Sequence, residues 1–232
     1  MSKMNENEDQ DGFSVKEFVE PQTGIPRRIY SYKRKPCRRE ILHSRLCDQL
    51  GGYTLIEKDL RSVLTWLSEI GSRHTEMPTR KGERHGRGAD RTNYNLIKGL
   101  FVASLTFYGK CFTKCEGRPV KLERAQLEEK FHRLHDECIA YRHNFAAHSG
   151  AKKLEYVEIA LVSPVKHKEK IDFRIYQELY QPDLFWPSPE DISIAQLVEQ
   201  ARAIARKKCE LLVEKIQREE VIPNAKKYWQ AN

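Results

Sequence analysis

Two polar residues near the middle of the chain, Arg142 and His148, have types and a spacing suited to chemistry on a phosphodiester. Arginine offers a permanently charged, forked donor that matches phosphate oxygens. Histidine exchanges a proton near neutral pH. Cleavage of RNA without a metal needs little more than this. A base takes the 2′-OH proton, an acid protonates the leaving oxygen, and a cation holds the charge of the phosphorane. The same residues also have an ordinary reading. A histidine at a helix C-terminus complements the helix dipole, and an arginine on a helix flank is commonly solvated or ion-paired.

The element that must position them is a helix expected over about 121–148 and ended by Ser149-Gly150. At about 100° per residue, Leu127, Phe131, Leu134, Cys138, Tyr141 and Phe145 fall within roughly 40° of one line, an apolar stripe. Arg142 and His148 then lie about 60° to either side of that stripe and roughly 9 Å apart along the axis. Both belong to the border of the buried face, where a second helix or a second subunit would meet them. They converge on one phosphate only by reaching towards each other or by meeting equivalents from a partner chain.

Other candidate constellations are weaker. His132, His135 and Cys138 recur every three residues, but His132 falls off the face of Cys138 and the four ligands of a zinc site are absent, so no metal and no cofactor is expected. Buried thiols and surface histidines are the ordinary state of those residues. Gly82, Gly86 and Gly88 follow no strand and lack phosphate-loop spacing. No nucleophile elbow or catalytic cysteine signature is present.

The chain around this helix reads as mainly α. Of 232 residues, 39% are hydrophobic and 32% charged, which describes a real core under much solvated surface. The net charge of +8 favours polyanionic partners and leaves the fold open. No run approaches the ~20 apolar residues of a membrane-spanning helix, and the polar opening has no apolar leader region, so a cytoplasmic location and no membrane partner are expected. The six cysteines then read as free thiols.

Residues 1–36 are expected as a disordered tail, acidic at first and then basic, with Arg27, Arg28, Lys33, Arg34 and Lys35 interleaved with Tyr30 and Tyr32. Such a mixture can grip phosphates and stack on bases, or simply be a solvated lead-in. The domain is expected over 37–222. It opens with a short helix over 38–50 that stops at Gly51-Gly52. A second helix should run from Thr54 to about Ser72, with Thr54 and Glu57 as a capping box. Residues 73–90 read as a long basic loop, and an apolar helix carrying Tyr94, Ile97, Leu100, Phe101, Leu105 and Tyr108 reaches about residue 114. A β-hairpin is expected within 154–177, from the β-rich stretches 156–162 and 171–176. A final helix starts near Glu190 and ends before Pro223, leaving 223–232 as a tail. The architecture is a bundle of four to five helices with a small hairpin before the last one.

Arg142, polar His143 and Asn144, and the ending Ala147-His148-Ser149 together resemble the motif of the HEPN superfamily, an arginine followed four to six residues later by histidine. The order of elements over about 54–220 is similar to abortive-infection-type members. The departure is His143, where asparagine or aspartate is commonest. The resemblance implies a HEPN-like helical homodimer with two motifs facing each other. It further implies metal-independent endoribonuclease activity on RNA in a phage-defence or toxin–antitoxin system, with an antitoxin or defence-system protein as partner. Under it His148 is the general acid/base, Arg142 binds the scissile phosphate, and His143 and Asn144 position substrate. Family members that lack catalysis imply the alternative, an RNA-binding or protein-interaction module; a purely structural dimerisation domain is the third reading.

Overall fold

The computed structural model describes residues 5–8, 12–75, 91–143, 156–163, 174–180 and 193–229. The chain divides into two compact units, one formed by Met1–Ser44 with Pro223–Asn232 and the other by Arg45–Ile222.

The first unit holds an antiparallel meander of β1 (Asn5–Glu8), β2 (Phe13–Val19), β3 (Pro26–Tyr32) and the two-residue β4 (Lys35–Pro36), in that order across the sheet. For the described residues of 1–36 this corrects the expectation of a disordered tail; 1–4 and 9–11 lie outside the described residues. Alternation in β2 and β3 is hidden because charged residues share the strands with Phe13, Val15, Ile29 and Tyr30, yet cross-strand pairing places Phe13 opposite Tyr32 and Val15 opposite Tyr30. Gly24 closes the turn between β2 and β3 at φ +67°, with its N–H donating to Glu20 O at 2.8 Å. Lys33 and Arg34 close the turn between β3 and β4, both at positive φ (45° and 64°), the pair of a type I′ turn. A short helix, Ala225–Trp229, lies in the segment expected as a tail.

The second unit carries the core. Its helices are α1 (Arg45–Thr75), α2 (Arg91–Cys111), α3 (His132–Tyr141) and α4 (Ile194–Ile216), and a hairpin of β5 (Tyr156–Val162) and β6 (Arg174–Tyr180) precedes α4. The fold is mainly α, with small antiparallel sheets. Helix α1 packs against α2 and α4, and α3 against α2 and α4. No helix among the described residues is long and apolar enough to cross a membrane.

Helix α1 is one continuous helix, in place of two separated at Gly51-Gly52. Glycine costs each helical position about 1 kcal/mol against alanine, so packing must compensate. It does at Gly52, which is buried. A Cβ there would lie 2.6 Å from Val120 Cγ2 and 3.4 Å from Arg118 Cγ. The glycine admits the 118–120 segment onto the helix. Thr54 caps nothing; its hydroxyl donates to Leu50 O at 2.9 Å inside the helix. Gly52→Ala is expected to destabilise the protein by about 1–3 kcal/mol. Gly51→Ala, where nothing lies within 4 Å, should stabilise it by about 0.5–1 kcal/mol. Thermal unfolding of the two variants checks the pair.

The helix expected over 121–148 is shorter. Residues Arg124–Gln126 and Glu129–Phe131 form two 3₁₀ turns around an extended Leu127 (φ −78°, ψ 149°), and α3 begins at His132. Leu127, Phe131, Leu134 and Cys138 are nonetheless all buried. Tight turns of about three residues serve the same apolar period as a helix, so the period alone did not separate them. The hairpin pairs Tyr156 with Tyr180 and Leu161 with Ile175, so its second strand runs past the expected end at 176 to Tyr180; residues 171–173 lie outside the described residues. Helix α4 starts after Ser193, not near Glu190. Ser193 Oγ accepts from the Gln196 N–H at 3.2 Å, and Gln196 Oε1 accepts from the Ser193 N–H at 2.8 Å, a capping box. Its buried face, Ile194, Leu197, Val198, Ala201, Ala205, Leu212 and Ile216, keeps the helical period throughout.

Candidate functional site

Arg142 follows directly on α3. Its N–H donates to Cys138 O and Ile139 O, and with His143 it continues the helix as a π-type turn. Its side chain crosses to the C-terminal end of α2. The aliphatic stem lies over Gly109, so close that a Cβ on that residue would collide with Arg142 Cδ. The guanidinium donates from one NH1 to Thr113 Oγ1 at 3.1 Å, and Thr113 in turn donates to Gly109 O at 2.8 Å. A half-buried, pinned arginine at a helix C-terminus sits where the helix dipole favours cations. Placement at the border of the packed face is as the helical wheel indicates, and a second helix, α2, provides a neighbour. His143 is exposed. Asn144 and His148 lie outside the described residues, as do the Ala147-His148-Ser149 ending and 76–90 of the basic loop.

Gly109 and Thr113 are the contributors to this site that reasoning from sequence missed. A glycine in an apolar helix, one turn before a threonine, is the available signal, and it says only that something approaches closely.

The same two helices, α2 and α3, also hold a buried polar pair. Tyr108 and His135 are 2% and 5% exposed, and Tyr108 Oη lies 2.8 Å from His135 Nδ1. The His135 ring also meets Phe112 edge-on with centroids 4.5 Å apart. This corrects the expectation of surface histidines. Burial raises the Tyr108 pKa far above its usual value, so the phenol stays protonated and can donate to the neutral imidazole. His132 instead faces Arg124 NH1 at 3.0 Å and Leu127 O at 3.1 Å. His132 and His135 therefore make separate contacts, and Cys138 is buried in the core.

His135 has a consequence for stability. Burial lowers its pKa below the ordinary value, opposed by Asp136 and reinforced by Arg124 and His132. The folded pKa lies below the unfolded one, so the unfolded chain takes up the proton more readily. The stabilising contribution is complete above about pH 6.5 and is lost as the pH falls from there towards the folded value. Thermal unfolding should show a lower midpoint at about pH 5.5 than at about pH 7.5, and His135→Asn should flatten that dependence.

A second charged cluster joins α1 to the segment after α2. The carboxylate of Asp59, 1% exposed, lies 3.2 Å from Lys110 Nζ, 3.1 Å from Lys58 Nζ and 3.6 Å from Arg118 NH1. Arg118 is itself 5% exposed and donates through NH2 to Lys110 O and, at 3.4 Å, to Cys115 Sγ. Asp59 Oδ1 and Arg118 Nε and NH1 are buried without a hydrogen bond, so the pair is held by charge at close range. Nearby Cys111 is pushed up to about 12 by burial, as is Cys138 on α3. Neither thiol is a nucleophile at neutral pH. Among the described residues no group of three or more His, Cys, Asp and Glu could hold a metal ion.

No family model matches the chain, and no curated protein and no solved structure matches it.

Proposed function

We propose that the protein is a HEPN-like endoribonuclease acting without a metal at a homodimer interface, with Arg142 binding the scissile phosphate and His148 as general acid/base. What supports the reading is the motif running from Arg142 to His148, together with the way Arg142 is held. Its stem is packed over Gly109 and one donor is used on Thr113. The guanidinium has five N–H donors, so a forked face remains for a phosphate without a new rotamer having to be ordered. On this reading His143 and Asn144 orient the substrate; His148 takes the 2′-OH proton as that oxygen bonds to phosphorus, and in its protonated form it returns a proton to the 5′ oxygen as the P–O5′ bond breaks. Phage defence or a toxin–antitoxin pair is the setting this chemistry fits, with an antitoxin or defence-system protein holding the activity in check. The chemistry makes a definite product. RNA incubated with the purified chain in EDTA should yield 2′,3′-cyclic phosphate and 5′-hydroxyl ends, and a substrate with 2′-deoxyribose at every position should stay intact. Equal cleavage of DNA, or 3′-hydroxyl ends, would contradict the proposal.

A further inference from the structure

We infer that the end of the N-terminal sheet is a binding site for single-stranded nucleic acid, built from Phe13, Tyr32, Lys33, Arg34 and Lys35. Four observations meet there. First, Lys33 and Arg34 both hold positive φ in the turn between β3 and β4. A type I′ turn strongly prefers Asn-Gly, and positive φ is costly for long side chains. Two cations stand where turn chemistry favours neutral, permissive residues, so charge at this tip has outweighed conformational preference. Second, the charges around it are sorted. Arg27, Arg28 and Arg38 pair with Glu20, Glu17 and Glu40, whereas no ion pair engages the exposed side chains of Arg34 and Lys35 among the described residues. Third, Phe13 and Tyr32 are cross-strand partners directly below the tip. Their ring centroids are 4.6 Å apart at 42°, and the residues are 49% and 39% exposed. Fourth, Lys33 ties the two features together. Its N–H donates to Gly12 O at 2.8 Å, its ammonium stands 5.1 Å from the centre of the Tyr32 ring, and a Cβ on Gly12 would lie 3.5 Å from its Cγ.

Half-exposed aromatic rings beside cations without an ion pair match an unstacked base next to its phosphates. A duplex hides its base faces, so it would use the cations alone. Two rings on a narrow tip also offer little apolar area for insertion into a bilayer. The choice of RNA over DNA as the ligand rests on the function proposed above; the contacts themselves do not depend on cleavage.

The full-length chain carrying His148→Ala, titrated with a fluorescein-labelled single-stranded oligouridylate of about 15 nucleotides, tests this by anisotropy over a range of salt. Lys33→Asn/Arg34→Gly should weaken binding at least about tenfold and reduce the salt slope by about 1.4. The same substitutions supply the residues the turn prefers, so amide exchange in β2 and β3 should slow, which separates lost binding from lost structure. Tyr32→Leu should weaken binding by about fivefold or more. Arg27→Gln/Arg28→Gln, which removes paired charges, should have a smaller effect than the tip variant. Unchanged affinity in the tip variant overturns the inference. So do equal losses in the two double variants, equal affinity for a duplex of the same length, or binding to phosphatidylserine vesicles in place of the oligonucleotide. Tip-dependent binding by a wild-type chain that does not cut RNA would sink the proposed function and leave this site standing. Cleavage that survives with no tip-dependent binding would do the reverse.

Discussion

Asp59→Ala is expected to lower the stability of the helical unit by about 3 kcal/mol. The reason is the company the carboxylate keeps. Arg118 is 5% exposed, and Asp59 is the acid that faces it, at 3.6 Å. Removing the acid leaves a desolvated guanidinium whose Nε and NH1 have no hydrogen bond. The penalty is that of an uncompensated buried charge, and it exceeds the net worth of the pair itself. Replacing both partners by apolar residues of similar volume, Asp59→Leu with Arg118→Met, should recover most of the loss. Urea unfolding followed by circular dichroism measures all three proteins. A single variant within about 0.5 kcal/mol of wild type would mean that water reaches the pair and that the core does not close over it.

Arg142→Ala is expected to reduce RNA cleavage about 10²- to 10³-fold while changing stability by less than about 1 kcal/mol. Its side chain is only half-buried and makes one side-chain hydrogen bond among the described residues, so folding asks little of it. Arg142→Lys should restore little of the activity, because a single ammonium cannot replace a planar fork on two phosphate oxygens. Gly109→Ala supplies an independent arm. Alanine is the better helix former, so α2 should not suffer, but its Cβ would stand where the Arg142 stem lies. The guanidinium must shift, and a drop in cleavage of about tenfold is expected from misplacement alone. Cleavage rates on a fixed oligonucleotide, beside melting curves for each variant, separate the two effects.

How far these features were legible in the sequence depends on the range of the interaction behind each. The face of α4 and the apolar face of α2 are local patterns, and both survive in the structure as buried stripes. The border position of Arg142 follows from the same arithmetic. Gly51-Gly52 could not be read locally, because what keeps the helix intact there is Val120, far along the chain. Asp59 and Arg118 are equally distant, and a lone acid in a helix carries no sign that it will be buried against an arginine. The N-terminal meander was obscured differently. Its β3–β4 turn uses Lys33-Arg34 where Asn-Gly would have announced a hairpin, and its strands mix charge with aromatic residues. Tyr108 and His135 look like one aromatic and one polar residue on separate helices; only packing of α2 against α3 turns them into a pair. At the candidate site the chemistry-bearing types were visible, while the support, Gly109 and Thr113, was not.

The most direct measurement compares wild-type protein with His148→Ala in RNA cleavage with EDTA present, after matching the two for folding and oligomeric state. The account predicts robust cleavage by the wild type and none above background by the variant. Full cleavage by His148→Ala, or none by the folded wild type, would contradict it.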